Sequence, residues 1–128
     1  MSYNRKSLSK MIPNKIINKT RKAILVENQV LRKSPLELAV GLMFHKKLKD
    51  TCMIFDLGKE KKVSFHMFFV FFPIDIIFLD GNKRIVDMKE NFMPFTIYNN
   101  KSPAKYAVEL PEGTIKKTQT RIGDEMEF

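Results

Sequence analysis

Apolar residues along the chain fall mostly into short runs, often alternating with polar ones, and β-branched residues are frequent within them. That pattern predicts strands. Lys15 to Asn18 and Ala23 to Leu31 form the first two such segments, with the polar stretch Lys19 to Lys22 as the turn between them. Thr51 to Phe55, Val63 to Met67, Ile74 to Asp80, Arg84 to Lys89 and Lys105 to Leu110 follow. Asp80-Gly81-Asn82 is a hairpin signal, because Gly and Asn accept the positive φ that tight turns need. Residues 91–104 hold two prolines and three asparagines and read as a loop. Pro111-Glu112-Gly113 starts another turn, with a short helical stretch toward Gln119, and Ile122-Gly123-Asp124 turns into a last strand ending at Phe128.

One segment, residues 34–44, has the helical pattern instead. Ser34 can cap free N–H groups, Pro35 suits the first helical position, and Glu37 completes a capping box. Leu36, Val40, Met43 and Phe44 share one helical face, and Gly41 is the weak point. The expected fold is therefore mainly β (β-rich α+β): a small barrel-like domain of about seven short strands with one helix near residues 34–44.

Size and composition agree with this reading. A chain of 128 residues with 44% hydrophobic content suffices for one core. Residues 1–13 lack periodicity and read as a flexible basic tail, leaving 14–128 as a single domain. The most apolar stretch, Phe65 to Leu79, is too short to span a bilayer and is interrupted by His66, Pro73 and Asp75, so no membrane span is expected. A single cysteine, Cys52, excludes an intrachain disulfide. With no apolar run of the signal-peptide kind near Met1, the expected location is the cytoplasm.

Charge changes the picture in one respect. The net charge is +9, and residues 1–50 hold 12 Lys and Arg against 3 Asp and Glu, whereas the remainder is balanced. Such asymmetry fits contact with nucleic acid or another polyanion, or a solvated segment that aids solubility.

Candidate chemistry is sparse. There is no P-loop and no G-x-G-x-x-G fingerprint, and the two histidines with one cysteine make no zinc set, so neither metal nor cofactor is expected. His66 and Asp75 are the most interesting pair. Alternation places Ser64 and His66 opposite Phe65, and Asp75 beside Ile77 and Leu79 on an apolar face. A carboxylate there requires hydrogen bonds or a cation. An antiparallel pair with Met67 facing Ile74 would bring His66 against Asp75, as a general base, a ligand-orienting group or a structural pair. Alternatively, Asp75 accepts backbone N–H bonds. Cys52 reads as an inert core thiol. His45 with Lys46, Lys47 and Lys49 complements a helix C-terminus. Phe68, Phe69, Phe71 and Phe72 line a core or form an exposed interaction surface.

From Leu38 onward the chain resembles a known family. The likeness is carried by Gly41-Leu42-Met43-Phe44, by Pro73-Ile74-Asp75-Ile76-Ile77-Phe78-Leu79-Asp80, by Tyr106-Ala107-Val108-Glu109-Leu110 and by Ile122-Gly123-Asp124. Their order and spacing are similar to domain of unknown function 192, also called uncharacterised protein family 127. The run His66-Met67-Phe68-Phe69 looks like its archaeal branch. The resemblance implies a small β-rich fold and brings no activity with it. The candidate ligand-binding residues are then His66, Asp75, Phe69 and Glu109. The leading expectation is a non-catalytic module that binds a small ligand or a protein. The alternatives are polyanion binding through the basic N-terminal segment and a small enzyme using His66 and Asp75.

Overall fold

A computed structural model describes residues 15–27, 29–33, 51–67 and 70–128. The helix expected over residues 34–44, the tail 1–13, the basic run after His45, and Phe68 and Phe69 lie outside the described residues.

Ten strands and one short helix are present among the described residues. They are β1 (Ile16–Asn18), β2 (Ala23–Val26), β3 (Gln29–Lys33), β4 (Thr51–Lys61), β5 (Ser64–His66) and β6 (Ile74–Leu79). β7 (Ile85–Phe92), β8 (Ile97–Asn99), β9 (Ala104–Pro111), α1 (Thr114–Thr118) and β10 (Met126–Glu127) complete the order. The mainly β class is as expected, but the strands do not close into a barrel. They form a central five-stranded sheet in the order β3-β4-β9-β6-β7, a three-stranded sheet β10-β1-β2 and a two-stranded ribbon β5-β8.

The two smaller sheets cover opposite faces of the central one. On one face Met53, Phe55, Leu57, Ile74, Ile76, Phe78 and Ala107 pack with Phe65, Met67, Val70 and Phe72. Phe65 meets Phe55 and Phe78 edge-on, with ring centroids 6.0 and 5.5 Å away. On the other face Cys52, Ile54, Ile77, Leu79, Val108 and Leu110 pack with Ile16, Leu25, Val26, Met126 and Ile115 of α1. β6 is buried on both faces, which is why it reads as an apolar run interrupted only by Asp75.

Local chemistry explains the main turns. The Asp80 carboxylate accepts the N–H groups of Asn82 and Arg84, both at 2.9 Å, and Lys83 takes a φ of 63°. This builds the expected hairpin between β6 and β7. Strand β4 runs beyond Phe55 to Lys61 because Gly58, at φ 87°, absorbs a register shift while its N–H bonds to Asp56. The expected loop over residues 91–104 contains β8. The segment Ala23 to Leu31 is two strands, not one: β2 joins the three-stranded sheet, and β3 pairs in parallel with β4.

Asp75 is completely buried. One carboxylate oxygen accepts the N–H of Asn91 at 3.0 Å and the other accepts the N–H of Ile115 at 2.9 Å. Asn91 has a φ of 52° and sits in a bulge of β7, where the register moves between Ile74 opposite Phe92 and Ile76 opposite Lys89. Ile115 lies in the first turn of α1, whose cap residue Gly113 offers no side chain. A carboxylate on β6 thus satisfies an orphan donor of a helix and a donor freed by a bulge. Asp75→Ala strands both donors and should destabilise the domain by roughly 2–5 kcal/mol. Asp75→Asn, which keeps one acceptor, should cost less. Equilibrium denaturation of the two variants measures the difference, and amide exchange should accelerate first at Asn91 and Ile115.

Candidate functional site

The sequence places its candidates on three strands, and the fold sorts them onto two faces. Asp75 on β6 is opposite Leu110 of β9, and Ile76 is opposite Glu109. Successive residues of a strand point to opposite faces. Asp75 therefore faces the layer holding α1, and Glu109 faces the layer built by β5 and β8.

The register that would join His66 to Asp75 is not formed. β5 pairs with β8, so His66 stands opposite Ile97. Met67 continues this pairing: its N–H bonds to the Thr96 carbonyl, and its own carbonyl accepts the Phe95 N–H. Both edges of β6 are already occupied, by β7 and β9. His66 is half-buried on the opposite side of β5 from Phe65, as alternation predicts. β5 covers Glu109's face of the sheet through Phe65, so the His66 side chain points away from Glu109. Phe69 lies outside the described residues. Its neighbours divide: Val70 and Phe72 are buried, while Phe71 is 63% exposed and meets Phe95 edge-on at 5.5 Å.

Glu109 stands apart electrostatically. It is only 6% exposed, in the middle strand of the central sheet, with Met53 and Ile76 as its cross-strand neighbours. Its carboxyl makes no hydrogen bond or ion pair among the described residues. Every sealed side-chain nitrogen or oxygen there has a hydrogen-bond partner. The Glu109 carboxyl is therefore not completely sealed from solvent. Burial pushes it up from 4.5 to about 8.

The other buried polar groups are engaged within the fold. Asp124 accepts Asn18 Nδ2 at 2.9 Å, Arg21 Nε at 3.1 Å and the Arg121 N–H at 2.9 Å. Burial raises its pKa, but these bonds and the Arg21 charge outweigh that and hold the carboxyl below its usual value. Asp87 accepts the Tyr98 hydroxyl and the Lys101 N–H, both at 2.8 Å, tying β8 to β7. Burial and the Asp87 bond push Tyr98 up to about 12. Asn100 bonds to Val63, Lys61 and Ser102 and closes the β4–β5 connection. No sequence signal marked Asn18, Asp87 or Asn100, because each has a partner from another part of the chain. Cys52 is buried in the core, as expected. No group of three or more metal-ligating side chains converges among the described residues, and no helix there is long and apolar enough to cross a membrane.

Comparison with known proteins fits this arrangement. The profile of the DUF192 family, described as "Uncharacterized ACR", matches residues 16–128. The chain belongs to the DUF192 family. A UPF0127 protein of Thermococcus sibiricus is 33% identical over 115 residues, covering 88% of this chain and 73% of that one. A UPF0127 protein of Pyrococcus furiosus is 37% identical over 89 residues, covering 70% and 76%. Both are archaeal and uncharacterised, in line with the archaeal likeness of the His66–Phe69 run. Among solved structures, a candidate transcription regulator from Sinorhizobium meliloti superimposes with a TM-score of 0.75 at 29% identity, covering 88% of this chain and 89% of that one. A protein of unknown function from Novosphingobium aromaticivorans gives 0.75 at 24% identity, covering 89% and 82%, and shares the fold. No specific biochemical function is indicated for these DUF192 relatives.

The raised Glu109 carboxyl has a thermodynamic consequence. Folded protein holds a proton there that unfolded protein releases between pH 4.5 and about 8. Its contribution is thus fully present below pH 4.5 and is lost as pH rises toward 8. Relative to Glu109→Gln, which cannot ionise, the native chain should lose stability across this window. Denaturant titrations of both proteins at pH 5, 6.5 and 8 read the difference directly. A difference independent of pH would contradict the assignment.

Proposed function

We propose that this DUF192 domain is a non-catalytic binding module for a small molecule, with Glu109 as its recognition group. The observation that carries this reading is a nearly buried carboxyl with no partner among the described residues, set in an otherwise apolar layer. Ligand sites are largely apolar with a few placed polar groups. His66 belongs to the candidate set through β5, although its side chain leaves that strand on the side away from the central sheet. Phe69, next to that layer in sequence, completes the candidate set. Asp75 takes a supporting role, holding the end of β9 where Glu109 lies. A His66–Asp75 general base has little support, because backbone donors occupy both Asp75 oxygens.

A thermal-shift screen of small organic compounds tests the proposal. A ligand of the folded state raises Tm according to its concentration relative to Kd. We expect a set of compounds that stabilise the native chain and lose that effect in Glu109→Ala. Hits indifferent to Glu109→Ala, or no hits at all, would contradict it.

A second reading is contact with nucleic acid through the basic first 50 residues. It is favoured by the excess of 12 basic over 3 acidic residues there and by the description of the Sinorhizobium relative as a candidate transcription regulator. Affinity for duplex DNA or RNA should then fall steeply with salt and weaken on deletion of residues 1–13, which removes Arg5, Lys6 and Lys10. Binding absent at low salt leaves only the solubility role for this charge.

A further inference from the structure

Two basic segments from distant parts of the sequence meet on the folded domain. The turn between β1 and β2 carries Lys19, Arg21 and Lys22, while α1 and the turn after it carry Lys116, Lys117 and Arg121. Asp124 joins them. One of its carboxylate oxygens accepts both Arg21 Nε, at 3.1 Å, and the Arg121 N–H, at 2.9 Å. Asn18 Nδ2 donates to the Thr120 hydroxyl at 3.1 Å, and the Lys19 N–H donates to the Glu125 carbonyl at 2.8 Å. The Glu125 N–H in turn donates to the Thr20 hydroxyl at 2.9 Å. The two segments therefore adjoin as one surface.

All six cations are exposed. The acids against them are engaged within the fold: Asp124 is buried and bonded to Arg21, and Glu125 is shared between Lys19 at 3.6 Å and Arg84 at 3.4 Å. Glu112, also exposed, precedes α1 and stands at the end opposite Lys116 and Lys117. Lys22, Lys116, Lys117 and Arg121 have no acid partner among the described residues. The segments outside the described residues hold six Lys and Arg against two Asp and Glu, so they add to this charge instead of balancing it. Elsewhere exposed lysines alternate with acids, as in Lys59-Glu60 and Lys89-Glu90. Six cations on one surface repel one another, and an anionic partner relieves that repulsion.

The uncharged groups narrow the partner. No aromatic side chain lies in either segment, so unpaired bases have nothing to stack on. Ile24 and Ile122 are the exposed large apolar side chains in or beside them, far less than the continuous apolar face that seats a protein in a lipid interface. Thr20 and Thr118 are bonded within the fold, which leaves little to read the 2′-hydroxyls of RNA. What remains is attraction to closely spaced phosphates.

We propose that the surface formed by the β1–β2 turn and α1 binds the phosphate backbone of duplex DNA. This rests on the nucleic-acid reading above and extends it from the N-terminal segment onto the folded domain, with residues 116–121 as the second half of the contact.

The full chain is titrated by fluorescence anisotropy into a labelled DNA duplex of mixed sequence, about 20 base pairs long, over a range of salt. Two double variants separate place from charge. Lys116→Gln with Lys117→Gln, and Lys59→Gln with Lys62→Gln, remove the same net charge at exposed positions. Lys59 and Lys62 stand near the end of β4 that pairs with the start of β9, whereas α1 follows the other end of β9. The first pair should weaken binding roughly tenfold and reduce the slope of log K against log salt by about two. The second pair should change both far less. Equal effects of the two pairs, or a loss only on deletion of residues 1–13, would overturn the surface and leave the N-terminal reading standing. No binding by the native chain at low salt would remove both. Tighter binding to duplex RNA of the same length, or to vesicles of phosphatidylcholine and phosphatidylserine, would overturn DNA as the partner.

Discussion

The fold depends on a fully buried carboxylate. Asp75 sits in a strand buried along its whole length, and its side chain is closed off from solvent. The two backbone donors it accepts come from Asn91 in the bulge of β7 and Ile115 at the start of α1. One donor lies within β7 and the other follows β9, and the carboxylate holds both against β6. The turn after β9 and the bulge opposite are thereby set in place. That fixes the end of the central sheet at which Glu109 and its neighbours lie.

The second consequence concerns chemistry. Asp75 and Glu109 are neighbours in the sheet, shifted by one residue, so the pleat sends them to opposite faces. One acid is saturated by backbone donors and stabilises the domain. The other has no partner among the described residues, is nearly buried, and retains a proton to about pH 8. A buried group of this kind lowers stability at neutral pH and above, which a domain tolerates where the group has a use. The same logic separates Glu109 from Asp87 and Asp124, whose hydrogen bonds account for their burial.

Much of this was legible in the sequence where the signal was local. The strand at Ile74 to Leu79 and the turn at Asp80-Gly81-Asn82 follow from composition, and the burial of Asp75 follows from its apolar flanks. Backbone N–H bonds to Asp75 were one of two readings of the sequence, but which donors supply them was not legible. Strand composition says nothing about which strand lies alongside, and β5 finds its partner in β8, more than thirty positions away. The division of Ala23 to Leu31 was hidden for the same reason: both halves have strand composition, and only the tertiary arrangement sends them to different sheets. Ile97 to Asn99 was obscured by the prolines and asparagines around it. Glu109 entered through family likeness, although its position between Val108 and Leu110 carries the same warning of a buried acid that singled out Asp75.

The most direct test of the account is the titration of one carboxyl. A chain labelled with carbon-13 at the glutamate side-chain carbonyls, with Glu109→Gln used to assign the signal, reports the midpoint by NMR. The account predicts that Glu109 titrates at about pH 8 in the folded domain. A midpoint near the ordinary 4.5 would show the group to be solvated or paired, and would contradict its place as the retained acid of the site.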